Sequence, residues 1–147
     1  MQTQREKNLE MMSAVTGRDS ALLARSLGKG AAVGYDDNFP LRAAVFLGYA
    51  DIARQLLAAG ADVHADSEAP LHIAVQARDK AMIDVLVDAG ADADAVLEKN
   101  RDKLDAESLK ILSDIKTRDA SAAFARSAAQ IKKKLGPRRR LKPGPTP

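Results

Sequence analysis

The chain has 147 residues and contains neither cysteine nor tryptophan. Without thiols it can build no disulfide framework and no thiolate zinc site. Only two histidines occur, His64 and His72, and neither has a second imidazole or a thiol to complete a ligand set, so no metal site is expected. Aromatic residues make up 3% of the chain, which leaves Ala, Leu, Val and Ile to fill any core. No apolar run approaches the roughly 18 residues of a membrane-spanning helix. Met1–Glu10 is polar and charged and has no apolar leader segment, so the expectation is a cytoplasmic protein without a membrane partner. Glycine-rich phosphate loops and Gly-x-Ser-x-Gly elbows are also missing. With no nucleophile beside a base and an orienting group, the chain reads as non-enzymatic, with no cofactor.

Acidic residues are missing too, from one part only. Residues 1–119 carry 15 Lys or Arg against all 20 Asp and Glu, a net charge of −5. Residues 120–147 carry eight basic residues and no acid, a net charge of +8. An acidic body therefore precedes a basic tail, an asymmetry that points to a partner for the tail.

What is present is a repeat. Pro40-Leu41-Arg42-Ala43-Ala44-Val45 recurs 30 residues later as Pro70-Leu71-His72-Ile73-Ala74-Val75, and Ala59-Gly60-Ala61-Asp62 recurs as Ala89-Gly90-Ala91-Asp92. The same offset backwards reaches Ala14-Val15 and Gly30-Ala31. A fixed period of this size marks stacked units that bury their apolar faces against one another. Between each Ala-Val pair and the next Gly, apolar residues fall at Leu22, Leu23 and Leu27, then Ile52, Ala53, Leu56 and Leu57, then Met82, Ile83, Leu86 and Val87. That spacing is one stripe of a helix. Pro40 and Pro70 suit the first turn of a preceding helix, and Gly30, Gly60 and Gly90 suit the left-handed residue that ends the following one.

These units resemble the ankyrin repeat family. The resemblance is carried by Pro40-Leu41 with Ala44, Gly48, Leu56-Leu57 and Gly60-Ala61-Asp62-Val63-His64-Ala65, and then by Pro70-Leu71-His72-Ile73-Ala74, Leu86-Val87 and Gly90-Ala91-Asp92 through Ala95, over residues 9–104. Phe39 and Ala69 stand where the family has Thr, and Arg42 replaces the first His. The family period is about 33. Here it is 30, with the missing residues between Gly60 and Pro70, so trimmed hairpins are expected.

The resemblance implies an all-α solenoid of stacked helix-turn-helix repeats over residues 1–118, with units at 9–38, 39–68 and 69–98. It also implies a role in protein–protein interaction, through hairpin tips and the exposed side of the inner helices. Carried over by position, the tip residues are Tyr35, Asp36, Asp37 and Asn38, then Asp66, Ser67 and Glu68. The inner-helix positions are Phe46 and Leu47, then Gln76 and Ala77; Tyr49 joins the candidates. Phe46 either anchors a partner or packs beneath a neighbouring loop. His72 takes the place of the family's turn-fastening His, His64 that of an Asn, and Asp62 and Asp92 that of the Asp that steadies each hairpin.

Terminal units of a solenoid need wet outer faces. Residues 9–30 read as a degenerate first unit and 99–118 as a C-terminal cap. A further helix is expected over 119–135, with Asp119 as N-cap and Phe124, Ala128, Ile131 and Leu135 along one face, stopped by Gly136-Pro137. That face either docks on the cap or is offered to a partner helix or a second copy. Beyond it an extended, proline-rich arm is expected. Lys132, Lys133, Lys134, Arg138, Arg139, Arg140 and Lys142 form the basic arm. Nonspecific nucleic-acid binding, a clasp on an acidic body, a nuclear import signal and a solubilising tail are its competing readings, as is the threading of a larger assembly. No aromatic residue follows Phe124, so the arm offers no base stacking.

Overall fold

The computed structural model describes residues 1–136. They form eight helices and no strand: α1 (Gln4–Thr16), α2 (Ser20–Gly28), α3 (Tyr35–Leu47), α4 (Ala50–Ala58), α5 (Ala65–Gln76), α6 (Lys80–Asp88), α7 (Ala93–Asn100) and α8 (Ala106–Leu135). Consecutive helices pair as α1 with α2, α3 with α4 and α5 with α6, and the pairs stack in two layers. The inner layer runs α1, α3, α5 and α7, and the outer layer α2, α4 and α6. The start of α8 closes the array against α7 and α5.

Short polar signals set the helix limits. Asp19 and Asp79 cap α2 and α6 by accepting from the amides of Leu22 and Met82 at 2.8 and 3.1 Å. Asp105 does the same for α8 with the Ser108 amide at 2.8 Å. Hydrogen bonds from Ser108 and then from Arg78 hold its carboxyl down at about 2. The stops are left-handed glycines: Gly30, Gly60 and Gly90 have φ of 88°, 98° and 101°. At each, the following alanine amide bonds back to a carbonyl five residues earlier, as from Ala61 to Leu56 at 2.9 Å. Between the layers lies one continuous core. Leu41, Ala44, Val45, Leu71, Ala74 and Val75 face Leu23, Ile52, Ala53, Leu56, Met82, Ile83 and Leu86 across it. Each fully buried Leu or Ile there contributes about 1.5–3 kcal/mol, and the small Ala14, Ala44 and Ala74 let neighbouring inner helices approach.

Four features depart from the sequence expectations. First, α1 starts at Gln4, because Thr3 and Glu6 form a reciprocal capping box in which Thr3 N donates to Glu6 Oε2 at 3.0 Å. Second, the connectors are not trimmed hairpins. Asp36, Asp37 and Asn38 have φ of 50°, 52° and 59°, and Asp66, Ser67 and Glu68 have φ of 49°, 55° and 66°. Each set makes a turn of left-handed helix leading into the right-handed helix that starts around Pro40 or Pro70. Third, the end of the unit expected at 69–98 carries a regular helix of its own, α7, whose N-cap Asp92 accepts from Asp94 and Ala95 amides at 2.9 and 3.2 Å. Fourth, there is no break at Asp119. The expected cap at 99–118 and helix at 119–135 share the single rod α8, which has no Gly or Pro between Ala106 and Leu135. Ion pairs from Lys116 to Asp94 at 2.8 Å and Arg118 to Asp84 at 2.6 Å fasten the rod just before that point.

Candidate functional site

Left-handed backbone is unfavourable for residues with a Cβ, by roughly 1–2 kcal/mol each, and Asn and Asp tolerate it best. The two left-handed connectors are held by side chains that reach from one unit to the next. Asn38 Oδ1 accepts from the Asp62 amide at 2.9 Å, and Glu68 Oε2 accepts from the Asp92 amide at 3.0 Å. Asn8 Oδ1 makes the equivalent bond to the Ala32 amide at 2.9 Å, from within α1. The three acceptors stand 30 residues apart and each reaches 24 residues forward, so they are one clamp repeated along the stack.

The clamp corrects one expected partner-binding residue. Glu68 is only 5% exposed, and its second oxygen engages His64 Nδ1, so it faces inward and is unavailable to a partner. That hydrogen bond raises the His64 pKa above its ordinary 6.5, helped by the charges of Glu68, Asp62 and Asp92.

With the connectors fixed, α3 and α5 present an open groove of about 370 Å³ lined by Phe39, Arg42, Ala43, Phe46, Leu47 and Ile73. Phe46 is 77% exposed, so it does not pack beneath a neighbouring loop. Arg42 also lines the adjoining depression, with Asp37, Asn38, Asp62, Ala65 and Asp66. Its guanidinium lies 5.9 Å from the Phe39 ring centroid and 3.7 Å from Asp66 Oδ2. An apolar floor thus runs into an acidic rim, and the one cation between them, Arg42, has a buried Nε with no protein partner.

Asp36 and Asp66 are exposed on the connectors, as is Tyr35. Leu47 sits on the groove wall beside Phe46. Tyr49 belongs elsewhere: it occupies the N-cap position of α4, half-buried, with Arg18 5.3 Å above its ring. Gln76 and Ala77 are exposed at the end of α5 and are not among the residues that line the groove. His72 does not fasten its turn as the resemblance implied. Its Nε2 is buried without a partner, and burial, then the charges of Lys103 and Lys99, push its pKa down. Lys132, Lys133 and Lys134 are exposed in the last turn of α8. Arg138, Arg139, Arg140 and Lys142 lie outside the described residues.

Sequence reasoning missed Phe39, Arg42, Ala43 and Ile73 as lining residues. The signal was there: Phe39, Ala43 and Phe46 follow each other at steps of four and three, a second apolar stripe on α3 facing away from the core. A larger cleft of about 450 Å³ lies between α6 and α8, but ion pairs between Arg78 and both Asp105 and Glu107, and between Arg118 and Asp84, tie its walls together. It is a joint of the stack. Among the described residues, no group of three His, Asp or Glu side chains is placed to hold a metal ion. Nor is any helix among them long and apolar enough to cross a membrane.

A family model described as ankyrin repeats, in three copies, matches residues 11–96, more than half of the chain. No curated protein matches it.

Proposed function

Since the chain belongs to the ankyrin repeat family, whose repeats are general protein–protein interaction modules, we propose that it is a non-catalytic module that grips a protein segment in the α3–α5 groove. The observation that carries this reading is the exposed Phe46 and Leu47 beside an acidic rim. A large apolar side chain in a groove desolvates fully when a partner covers it, and charges around it discriminate between partners. Phe39, Phe46, Leu47 and Ile73 supply the anchor contacts, and Asp36, Asp37 and Asp66 favour a segment that carries Lys or Arg. Tyr35 is exposed on the same connector as Asp36 and Asp37. The basic arm offers charge without aromatic stacking, so the nucleic-acid reading is not adopted.

The test replaces Phe46 and Leu47 with Ser and compares partner capture from the native host with that of the parent chain. Both side chains lie outside the core, so the double variant should keep its stability to within about 1 kcal/mol by thermal unfolding. Loss of the captured protein at unchanged stability is the expected result. Undiminished capture by a folded variant overturns the groove assignment. A Tyr49→Ser variant, outside the groove, should capture normally.

A further inference from the structure

We propose that the occupant of the α3–α5 groove is the C-terminal part of α8 from a second copy of this chain. The inference rests on the groove reading above and gives that groove a partner. It joins two surfaces that the stack leaves without one. The last buried residue of α8 is Ile115. Beyond it, Phe124, Ile131 and Leu135 are 77%, 56% and 78% exposed. At about 100° per residue these three fall within roughly 40° of one another, with Ala128 among them, so they form a narrow apolar stripe. Lys132 and Lys134 lie on either side of that stripe.

The groove is the counterpart of this stripe in shape and charge. Its floor is apolar apart from Arg42, and its adjoining rim carries Asp37, Asp62 and Asp66, so the acids outnumber the one cation, which is drawn toward Asp66 at 3.7 Å. Residues 119–135 run about 25 Å along the axis, long enough to cross two inner helices packed about 8–10 Å apart. The stripe cannot turn back onto its own groove. It continues a rod without Gly or Pro that is fastened at Lys116 and Arg118 to the far end of the stack. Pairing two stripes with each other is also disfavoured. Residues 120–136 carry Arg126, Lys132, Lys133 and Lys134 and no acid, so two such helices bring like charges together whichever way they run. A helix seated in the groove instead sets its lysines beside the aspartates. Because donor and acceptor are different surfaces, each copy gives one helix and receives one, so the contact either closes into a ring or propagates as a chain of molecules.

Sedimentation velocity on the full chain tests this, from about 5 to about 200 µM, the range in which a micromolar contact populates. The mean mass should rise with concentration, and raising salt from about 0.05 to about 0.5 M should weaken association about tenfold, because exposed charges are screened. Phe124→Ser/Ile131→Ser and Phe46→Ser/Leu47→Ser variants should each sediment as monomers. Mixed in equal amounts, they should form a pair and stop there, since one keeps the groove and the other the helix. A parent chain that stays monomeric throughout overturns the proposal, whether α8 then proves to bind anionic vesicles or an unrelated protein. So does a groove variant that still associates, because that result means stripe pairs with stripe. The Phe124→Ser/Ile131→Ser variant separates the two readings: if the parent is monomeric but this variant still captures the groove's partner, only the second-copy assignment fails.

Discussion

Glu68 binds the Asp92 amide with one carboxylate oxygen and His64 with the other, and so anchors the second connector to the unit that follows. Truncating it to Ala leaves the Asp92 amide without its acceptor and removes a charged hydrogen bond, which should destabilise the stack by about 1–3 kcal/mol in urea unfolding. The same contact makes stability depend on pH, with a sign that follows from His64. Its pKa is raised in the folded chain, so its contribution is fully present below the ordinary 6.5 and is lost as pH rises through the folded value. His72 works the other way: its pKa is lowered by burial, so its protonation erodes stability as pH falls below 6.5. A His64→Gln variant, unfolded in urea over roughly pH 5.5 to 8.5, should keep only the His72 trend and gain stability with pH. No gain would remove His64 and His72 as the opposing pair. The role of Glu68 was hard to read from sequence because an acid in a connector is ordinarily solvated. Only the 30-residue register it shares with Asn8 and Asn38 marks it as an acceptor, and the three are not the same residue type.

Among the elements, helices were more legible than connectors, and for a physical reason. A helix announces itself by an apolar stripe and by residues that meet needs at its ends, as Asp19, Asp79, Gly60 and Gly90 do. A left-handed turn has no apolar period, and the resemblance pointed instead to a hairpin. Asp119 misled for a related reason: an Asp can cap a helix, but it can also ride on the outside of one already held at both ends by good helix formers and ion pairs. The left-handed turns give the element-scale test. Ser67 is exposed at φ 55°, so replacing it with Gly relieves backbone strain at little cost in packing. Set against the entropy glycine loses on folding, the net gain should be about 0.5–1 kcal/mol, with Ser67→Val lowering stability by about 1 kcal/mol or more. Thermal unfolding should show shifts of about 2–4 °C in opposite directions. If both variants melt like the parent, the connector is not left-handed.

At the scale of the molecule, stability and charge are divided along the chain. Every buried side chain of α8 lies at Ser108, Leu112 or Ile115, and past Asp119 the rod only borders an open cleft, through Ala120 and Ala123, beside Gly90 and Asp94. Because each solenoid unit touches only its neighbours, removing material beyond the last contact should not propagate into the core. Ending the chain after Asp119 should therefore leave the unfolding midpoint in place to within about 2 °C, although the formal charge of what remains is −5 instead of +3. Ending it after Lys103 instead removes Leu112 and Ile115 and uncovers the inner end of the array, which should cost at least about 3 kcal/mol at about 1.5–3 kcal/mol per buried side chain. Differential scanning calorimetry on the two shortened chains separates these effects. A fall of many degrees on losing residues 120–147 alone would mean that the Phe124, Ile131 and Leu135 face packs on its own stack, the alternative the sequence left open. An unchanged midpoint leaves that face free to meet a groove on another molecule, with the acidic body and the basic rod acting as opposite halves of one repeating contact.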